Sequence, residues 1–304
     1  MKVFLTGGLG NQLFQLSAAM HLFKGQIELV ARVGKPRLNL DSMPEIASFK
    51  LPTRVKIVTP STRFLWLSTK VFGLNLRSHF MPRAWERPIL PIYRFLGSTY
   101  FSLLFSEKIK LRVSDDLGYS NIEELHDSTA LIGYFQSYRY FTDDVKSEIG
   151  ELELQDAGEN FHRCIERMNG ENLLAVHLRI GDYRLEPNFG ILTSEYYKKA
   201  FLELESLNVR KAVIFSDSPD KALEFLPSNT KMSFEMAAKG LTSAETLKMM
   251  ASCSHFILAN STFSWWGAAL SENSEKCVVA PIPWFVNLQA PSQLLFPEWV
   301  KVPR

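Results

Sequence analysis

Short apolar runs alternate with segments of helix-like apolar periodicity along most of the chain. In the second half this pattern predicts helices over 157–169, 194–206, 242–252 and 265–270, separated by strands over 173–180, 212–215, 232–234, 255–259 and 277–280. Strands that alternate with helices are typical of βαβ units, whose strands form a parallel sheet. The second half is therefore predicted to be a doubly wound α/β domain.

The first half shows the same alternation with longer interruptions. It opens with a strand at 3–5, the glycine-rich turn GGLGNQ at 7–12 and a helix. Further strands are predicted at 27–30 and 130–136. Residues 33–60 are predicted to be loop with short pieces of structure. A helix start at Thr142 indicates that the first domain closes near residue 150. We therefore expect domains at 1–150 and 151–304.

A basic and aromatic insertion is expected within the first domain, at about 61–112. Arginines and a lysine are interleaved there with Trp, Phe and Tyr, and Glu86 is the single acidic residue up to residue 106. Such a surface suits anionic lipid headgroups. The alternative is a set of ordinary helices with solvated arginine faces.

Polar residues follow three of the predicted strands in the second half. Because the carboxyl ends of parallel strands lie at one edge of a sheet, where open α/β sheets bind ligands, we expect these residues to converge on one ligand. They are Arg179, Ser216, Asp217, Asn260, Ser261, Thr262 and Ser264. One alternative is a structural pair between Arg179 and Asp182 that stabilises the sheet edge. Asp217 would then be a turn residue before Pro219, and the Asn-Ser-Thr cluster would only cap a helix.

The candidate ligand is an anion. The guanidinium of Arg179 leaves a buried strand, and its planar fork suits a phosphate. In the first half, the glycine-rich turn places a helix amino terminus behind a flexible backbone, which is a natural anion seat. Its candidate residues are Gly8, Gly10, Asn11 and Gln12. The alternative is a tight turn with no ligand, since the full dinucleotide fingerprint and the P-loop lysine are missing.

Composition excludes several classes of protein. The chain has 304 residues, 46% of them hydrophobic, and a formal net charge of +2, which is too small to argue for a nucleic-acid partner. Three scattered cysteines, with no CxxC and no HExxH, argue against a zinc site and favour a reducing cytosol. No signal-peptide core and no membrane span are predicted, so we expect any membrane contact to be peripheral.

Four motifs together resemble the α-1,2-fucosyltransferase family: GGLGNQLFQ (7–15), HLRIGDY (177–183), FSDS (215–218) and NSTFSWWGA (260–268). They extend over most of the chain. The resemblance implies an α/β, GT-B-like fold, in which two Rossmann-like domains face a cleft. It also implies inverting transfer of L-fucose from GDP-β-L-fucose to a hydroxyl of a β-galactoside, with no cofactor and no metal.

The resemblance implies a role for each matched residue. Arg179 would hold the donor pyrophosphate, and His177 and Asp182 would shape its pocket. Asn11 would approach the phosphates from the first domain, while Asp217 and residues 260–264 would bind nucleoside and phosphate. The sequence departs from the HxRRGD form of the family at Ile180, which replaces a second arginine. No Asp-x-Asp is present to clamp a metal on the diphosphate.

The resemblance also leads to expectations about the cellular setting of the protein and about the catalytic base. We expect a bacterial surface-polysaccharide enzyme on the cytoplasmic side of the inner membrane, whose acceptor is a β-galactoside or a lipid-linked oligosaccharide. Asp182, Glu186 and the leaving phosphate are candidates for the base that accepts the acceptor's proton. Transfer of another GDP-deoxyhexose such as colitose, and a nucleotide-binding or glycan-binding protein without turnover, remain as alternatives.

Overall fold

The computed structural model describes residues 1–33, 43–61, 65–80, 87–114, 116–123, 125–181, 183, 186–228, 231–291 and 293–304. The chain divides into two compact units. The first comprises Met1–Gln155 with Pro291–Leu294, and the second comprises Asp156–Ala290 with Leu295–Arg304. Each unit is an α/β structure with a parallel sheet, so the prediction of two Rossmann-like domains is confirmed.

The first unit is built on a five-stranded parallel sheet in its described part. Its strands are β1 (Lys2–Phe4), β2 (Ile27–Val30), β3 (Val55–Val58), β4 (Lys110–Val113) and β5 (Thr129–Ile132), and its helices are α1 (Leu9–Leu22), α2 (Leu65–Phe80), α3 (Leu90–Phe105) and α4 (Asp143–Gly150). The spatial order is β3-β2-β1-β5-β4. The direction of the connections therefore changes between β1 and β5, which makes this the switch point of the sheet.

The structure refines two predictions for the first unit. Residues 33–60 were predicted to be loop with short pieces of structure, and one such piece is β3, which pairs along its whole length with β2. This four-residue edge strand has little pattern of its own, and its ladder with β2 stabilises it. The strand predicted at 130–136 ends at Ile132, because Phe135 takes a left-handed backbone conformation and the Gln136 N–H bonds to the Leu117 carbonyl.

The segment 61–112 is part of the first domain's own architecture rather than an insertion. Helices α2 and α3 form the crossover from β3 to β4, and β4 lies in the sheet. Phe72 of α2 and Phe101 of α3 pack on Phe4 of β1, with ring centroids 5.9 and 4.5 Å away. The two helices are therefore anchored on the core. Arg63, Arg83 and Trp85, which the sequence pattern included, lie outside the described residues.

The second unit is built on a six-stranded parallel sheet in its described part. Its strands are β6 (Leu173–Leu178), β7 (Lys211–Ser216), β8 (Ser233–Met236), β9 (His255–Ile257), β10 (Val278–Ile282) and β11 (Val300–Pro303), and its helices are α5 (Glu159–Met168), α6 (Ser194–Leu202), α7 (Pro219–Ala222), α8 (Ser243–Ala251) and α9 (Thr262–Ala269). The spatial order is β11-β10-β9-β6-β7-β8. This is the order of a doubly wound sheet with its switch point between β6 and β9.

Local sequence signals account for much of the second unit. All six residues of β6 are buried, as expected for a central strand covered on both faces. The capping box of Thr242 and Glu245 opens α8, and Glu245 also accepts a hydrogen bond of 2.7 Å from the Gly158 N–H. Sequence reasoning missed β11, because this short edge strand owes its form to pairing with β10.

The units meet in sequence between Gln155 and Asp156, whereas the sequence pattern placed the boundary between 150 and 151. The Gln155 N–H donates to the Ser48 carbonyl, which keeps the intervening residues with the first unit. Residues 291–294 also belong there, since the Tyr138 N–H and the Ser137 hydroxyl both donate to the Gln293 carbonyl. Within the described ranges, no helix is both long and apolar enough to cross a bilayer.

Candidate active site

Arg179 follows the central strand β6 at the carboxyl edge of the second sheet. Its Nε lies 3.3 Å from Oδ2 of Asp217, which follows the neighbouring strand β7. About a third of the Arg179 side chain remains exposed, so the guanidinium is held and still reachable by a ligand. The predicted convergence of these two strand ends is thus present, and it takes the form of an ion pair at the switch point.

The carboxylate of Asp217 also organises the backbone that carries the arginine. Its Oδ1 accepts hydrogen bonds from the N–H groups of Ile180, at 2.9 Å, and Gly181, at 3.1 Å. A Cβ at Gly181 would lie 3.0 Å from Oδ2, so the absence of a side chain permits this close approach. Asp217 therefore acts here as a clamp on the loop after β6. The neighbouring Ser216 accepts from the Ser218 N–H and shapes the turn into α7.

Tyr183 links the arginine to the end of β9. The Arg179 guanidinium lies 5.6 Å from the centre of the Tyr183 ring, and the tyrosine hydroxyl donates a 3.1 Å hydrogen bond to the Asn260 carbonyl. The guanidinium thus lies near Asp217 from the end of β7 and near Tyr183, which is itself bonded to the end of β9. Sequence reasoning gave Tyr183 no role, although it stands inside the HLRIGDY motif.

Asn260 is buried just after β9. Its Nδ2 donates to the carbonyls of Phe189 and Gly190, at 2.9 and 3.3 Å, which fixes the loop that returns from β6. Its Oδ1 is buried and makes no hydrogen bond within the described residues. Buried acceptors are nearly always hydrogen-bonded, so this oxygen at the switch point is suited to accept a hydrogen bond from a bound ligand.

The residues after Asn260 begin helix α9. Ser261 is its N-cap and accepts from the Phe263 N–H, and Thr262 is the first helical residue. The Ser264 hydroxyl is fully buried between the carbonyls of Ala259 and Ser261, at 3.3 and 3.2 Å. Ser261 and Ser264 therefore both contribute to the local fold, and Thr262 is the more accessible member of the group.

His177 lies in β6 and is almost completely buried. Burial, assisted by the nearby charge of Arg179, lowers the pKa of its imidazole to about 3. The ring is therefore neutral at physiological pH and adds no positive charge to the site. Its carbonyl accepts a 2.9 Å hydrogen bond from the Tyr197 hydroxyl of α6, a buried contact that ties this helix to the strand that leads to the arginine.

The glycine-rich turn of the first unit lies at the other switch point, beside β1. Gly7 has φ of 75°, and the Asn11 side chain occupies the space that a Cβ at Gly7 would need. The Asn11 Oδ1 accepts from the Gln136 Nε2 at 3.0 Å, so the two sides of the crevice between β1 and β5 are joined. This contact leaves the Asn11 Nδ2 as a donor for an oxygen ligand. Gln136 was not recognised from the sequence.

Gln12 serves the fold of the turn. Its Nε2 donates to the Gly7 carbonyl and its Oε1 accepts from the Ile46 N–H, at 3.0 and 2.9 Å, and the side chain is buried. Both ends of the amide are therefore already paired. Gly10 is buried inside α1, whereas Gly8, the N-cap of that helix, is exposed.

Glu45 is a carboxylate that sequence reasoning missed at this turn. Its Oε2 lies 3.4 Å from the position that a Cβ at Gly8 would take. The residue stands in the segment that was predicted to be loop, with no motif around it. Asp182, which was predicted to shape the pocket of the donor, lies outside the described residues. Within the described residues, no group of His, Cys, Asp and Glu side chains is arranged to hold a metal ion.

Comparisons with known proteins match the chain over nearly its whole length. The model of glycosyl transferase family 11 matches residues 1–302. The O-antigen biosynthesis glycosyltransferase WbnK of Escherichia coli is 26% identical, with 98% of this chain and 99% of the relative covered. An α-1,2-colitosyltransferase of Escherichia coli is 27% identical, with 98% and 97% covered. Among solved structures, the fucosyltransferase NodZ from Bradyrhizobium matches with a TM-score of 0.47 and 15% identity, covering 88% of this chain and 92% of that chain.

Proposed function

Since the chain belongs to glycosyl transferase family 11, we propose that it transfers L-fucose from GDP-β-L-fucose to the 2-hydroxyl of a β-galactoside, forming an α-1,2 linkage. The observation that carries this proposal is the partly exposed Arg179, clamped by Asp217 at the switch point of a doubly wound sheet. A fixed guanidinium at such an edge suits the diphosphate of a nucleotide sugar.

The reaction is an inverting displacement. The acceptor oxygen bonds to the anomeric carbon of fucose as the bond from that carbon to the β-phosphate oxygen breaks, and GDP leaves with the electron pair. Arg179 stabilises the charge that grows on the departing phosphate, with the Asn11 amide as a second donor from the first domain. Such preorganised groups are worth about 10²–10³ in rate each.

The proton of the acceptor hydroxyl must reach a base. Asp182 is the first candidate, exposed Glu186 the second, and an oxygen of the leaving phosphate the third. Glu45 joins this set because its carboxylate lies beside Gly8. Separate Asp182→Asn, Glu186→Gln and Glu45→Gln variants discriminate among them: loss of kcat with unchanged GDP affinity identifies the base, and full activity of all three points to the phosphate.

The acceptor belongs to surface-polysaccharide synthesis in this proposal. Similarity to an O-antigen biosynthesis glycosyltransferase supports this part of the proposal. We take the acceptor to be a lipid-linked oligosaccharide on the cytoplasmic face of the inner membrane. The protein would then work in the cytoplasm, in peripheral contact with that membrane, and without a metal or another cofactor. Unchanged turnover in excess EDTA is expected; reversible loss of turnover would contradict the metal-free reaction.

Transfer of colitose is the second candidate, favoured by the similarity to an α-1,2-colitosyltransferase. Ile180, where the family often has a second arginine, is buried in the apolar core and adds no cation to the donor site. Supplying GDP-fucose and GDP-colitose side by side, with a panel of β-galactosides and linkage analysis of the products, separates the two. GDP binding without product from either donor would favour a non-catalytic binding protein.

The role of Arg179 is tested on the same assay. Arg179→Ala should abolish transfer while circular dichroism and the melting temperature stay close to wild type, since the side chain is partly exposed and outside the core. Near-normal turnover of this variant would overturn the proposed mechanism.

A further inference from the structure

Helices α2 and α3 expose large apolar side chains on the side that faces away from the sheet. Six of these side chains are more than half exposed, and we call them the outer face: Trp66, Leu74, Ile92, Phe95, Leu96 and Leu103. Trp66, Phe95 and Leu103 are 71%, 69% and 76% exposed. Large apolar side chains clustered on one pair of packed helices and left this exposed are typical of an interaction site.

The outer face follows helical periodicity and lies opposite the face that packs on the core. On α3 its members recur at spacings of three, four and seven residues, while Gly97 and Phe101 face inward and are buried. A helix that packs one face on the core normally has a polar outer face where it contacts water, so a second, exposed apolar face is unusual. The second face therefore needs a partner.

The two helices are held firmly enough for the outer face to be a defined surface. The hydroxyls of Ser68 and Tyr100 are 2.9 Å apart and link α2 to α3. A Cβ at Gly97 would lie 2.8 Å from the Asn75 Nδ2, so the helices approach closely at that glycine. The exposure of the apolar side chains is thus a property of packed helices.

The segment that carries the outer face is rich in basic residues in its sequence. Exposed Lys70 lies on the same side of α2, with its Nζ 5.7 Å from the centre of the Trp66 ring. The segment 61–106 contains six Lys or Arg and one Glu, although the whole chain carries only +2, so the rest of the chain is net acidic. Positive charge is therefore concentrated on the segment that carries the outer face.

We propose that the outer face docks on an anionic lipid bilayer. Trp and Phe side chains would enter the headgroup region, and Lys70 would pair with lipid phosphate. A second copy of this chain is the less suitable occupant, because a two-fold interface would bring two basic segments together. The inference deepens the proposed function, since a bilayer surface is where a lipid-linked acceptor is found, but lipid binding itself is measured without donor or acceptor.

The test is flotation of the full chain with vesicles that contain phosphatidylglycerol and with vesicles of phosphatidylcholine alone. We expect binding to the anionic vesicles that weakens as salt rises. The double variant Trp66→Ser/Phe95→Ser should lose affinity by about tenfold or more, and Lys70→Glu should weaken binding to the anionic vesicles alone. A matched control is Leu202→Ser/Leu223→Ser, which replaces two exposed leucines of the second unit and should bind as wild type.

Absence of flotation with anionic vesicles would overturn the inference, as would equal loss of binding in the control. Wild-type self-association that the Trp66→Ser/Phe95→Ser variant abolishes, measured by analytical ultracentrifugation, would identify a second copy as the occupant instead. Circular dichroism checks that the variants fold. Transfer to a water-soluble acceptor without vesicle binding would refute this inference alone, and vesicle binding without transfer would refute the proposed function alone.

Discussion

The Nε of Arg179 lies 3.3 Å from Oδ2 of Asp217, and the same carboxylate accepts the N–H groups of the two residues that follow the arginine. One side chain at the end of β7 thereby fixes both the guanidinium and the backbone at the end of β6. The arginine is positioned before any ligand arrives, which is the condition under which a charged group contributes most to transition-state stabilisation.

Asp217→Asn is expected to raise the KM for the GDP-sugar and to lower kcat/KM by about 10–100-fold. A neutral amide cannot form the ion pair with the guanidinium, and its single oxygen accepts less strongly from the backbone N–H groups. The fold should persist, since the site lies at the sheet edge. Steady-state kinetics with varied donor measures the effect. Kinetics equal to wild type would show that the clamp has no part in catalysis.

Gly181→Ala tests the close approach at the same clamp. The new methyl group would lie 3.0 Å from Oδ2 of Asp217 and should displace the carboxylate from Arg179, so GDP affinity should fall by about tenfold. Gly150→Ala is the matched control, because no atom lies within 4 Å of its Cβ position. Isothermal titration with GDP compares them, and equal affinities would contradict the steric argument.

Because His177 is buried, we predict that the second unit loses stability as the pH falls. In the unfolded chain its imidazole takes a proton near the ordinary pKa of 6.5, whereas in the fold the pKa is lowered to about 3. Protonation below pH 6.5 therefore favours the unfolded chain, so this contribution to stability is complete above pH 6.5 and declines as the pH falls towards 3. The decline is at most about 1.4 kcal/mol per pH unit.

His177→Gln should flatten this decline. Urea unfolding at several pH values between 7.5 and 4.5 measures it, with exposed His126→Gln as a control that should behave as wild type. The same steep loss of stability in His177→Gln would assign the acid sensitivity to other groups.

Asn11 and Gln12 are neighbours in the glycine-rich turn with opposite expected effects. Asn11→Ala should lower kcat by about 10²–10³ with a smaller loss of stability than Gln12→Ala, because it removes the amide that we propose as a donor to the phosphates. Gln12→Ala should lower the free energy of unfolding by about 1–3 kcal/mol, since it leaves the buried Ile46 N–H and the Gly7 carbonyl without their partner. Activity assays and urea unfolding on both variants check the contrast, and a reversed pattern would refute this division of roles.

The convergence of Arg179 with Asp217 could be predicted from the sequence because a parallel sheet brings the carboxyl ends of its strands to one edge. The same logic found Asn260 and the cap of α9. The sequence could not show that the side chains of Ser264 and Gln12 hydrogen-bond to the backbone. Those bonds depend on which carbonyls and N–H groups the fold places beside each side chain. Nor could it find Gln136, which lies 125 residues from its partner Asn11 in the chain.

Local pattern was sufficient for the buried strand β6, the capping box of α8 and the two α/β domains, because burial on both faces and capping leave a signal within a few residues. The tertiary structure alone decided the edge strands β3 and β11, the place of α2 and α3 on the first sheet, and the neutral state of His177. Pairing, packing and desolvation act between segments that are distant in the chain, and no short stretch of sequence records them.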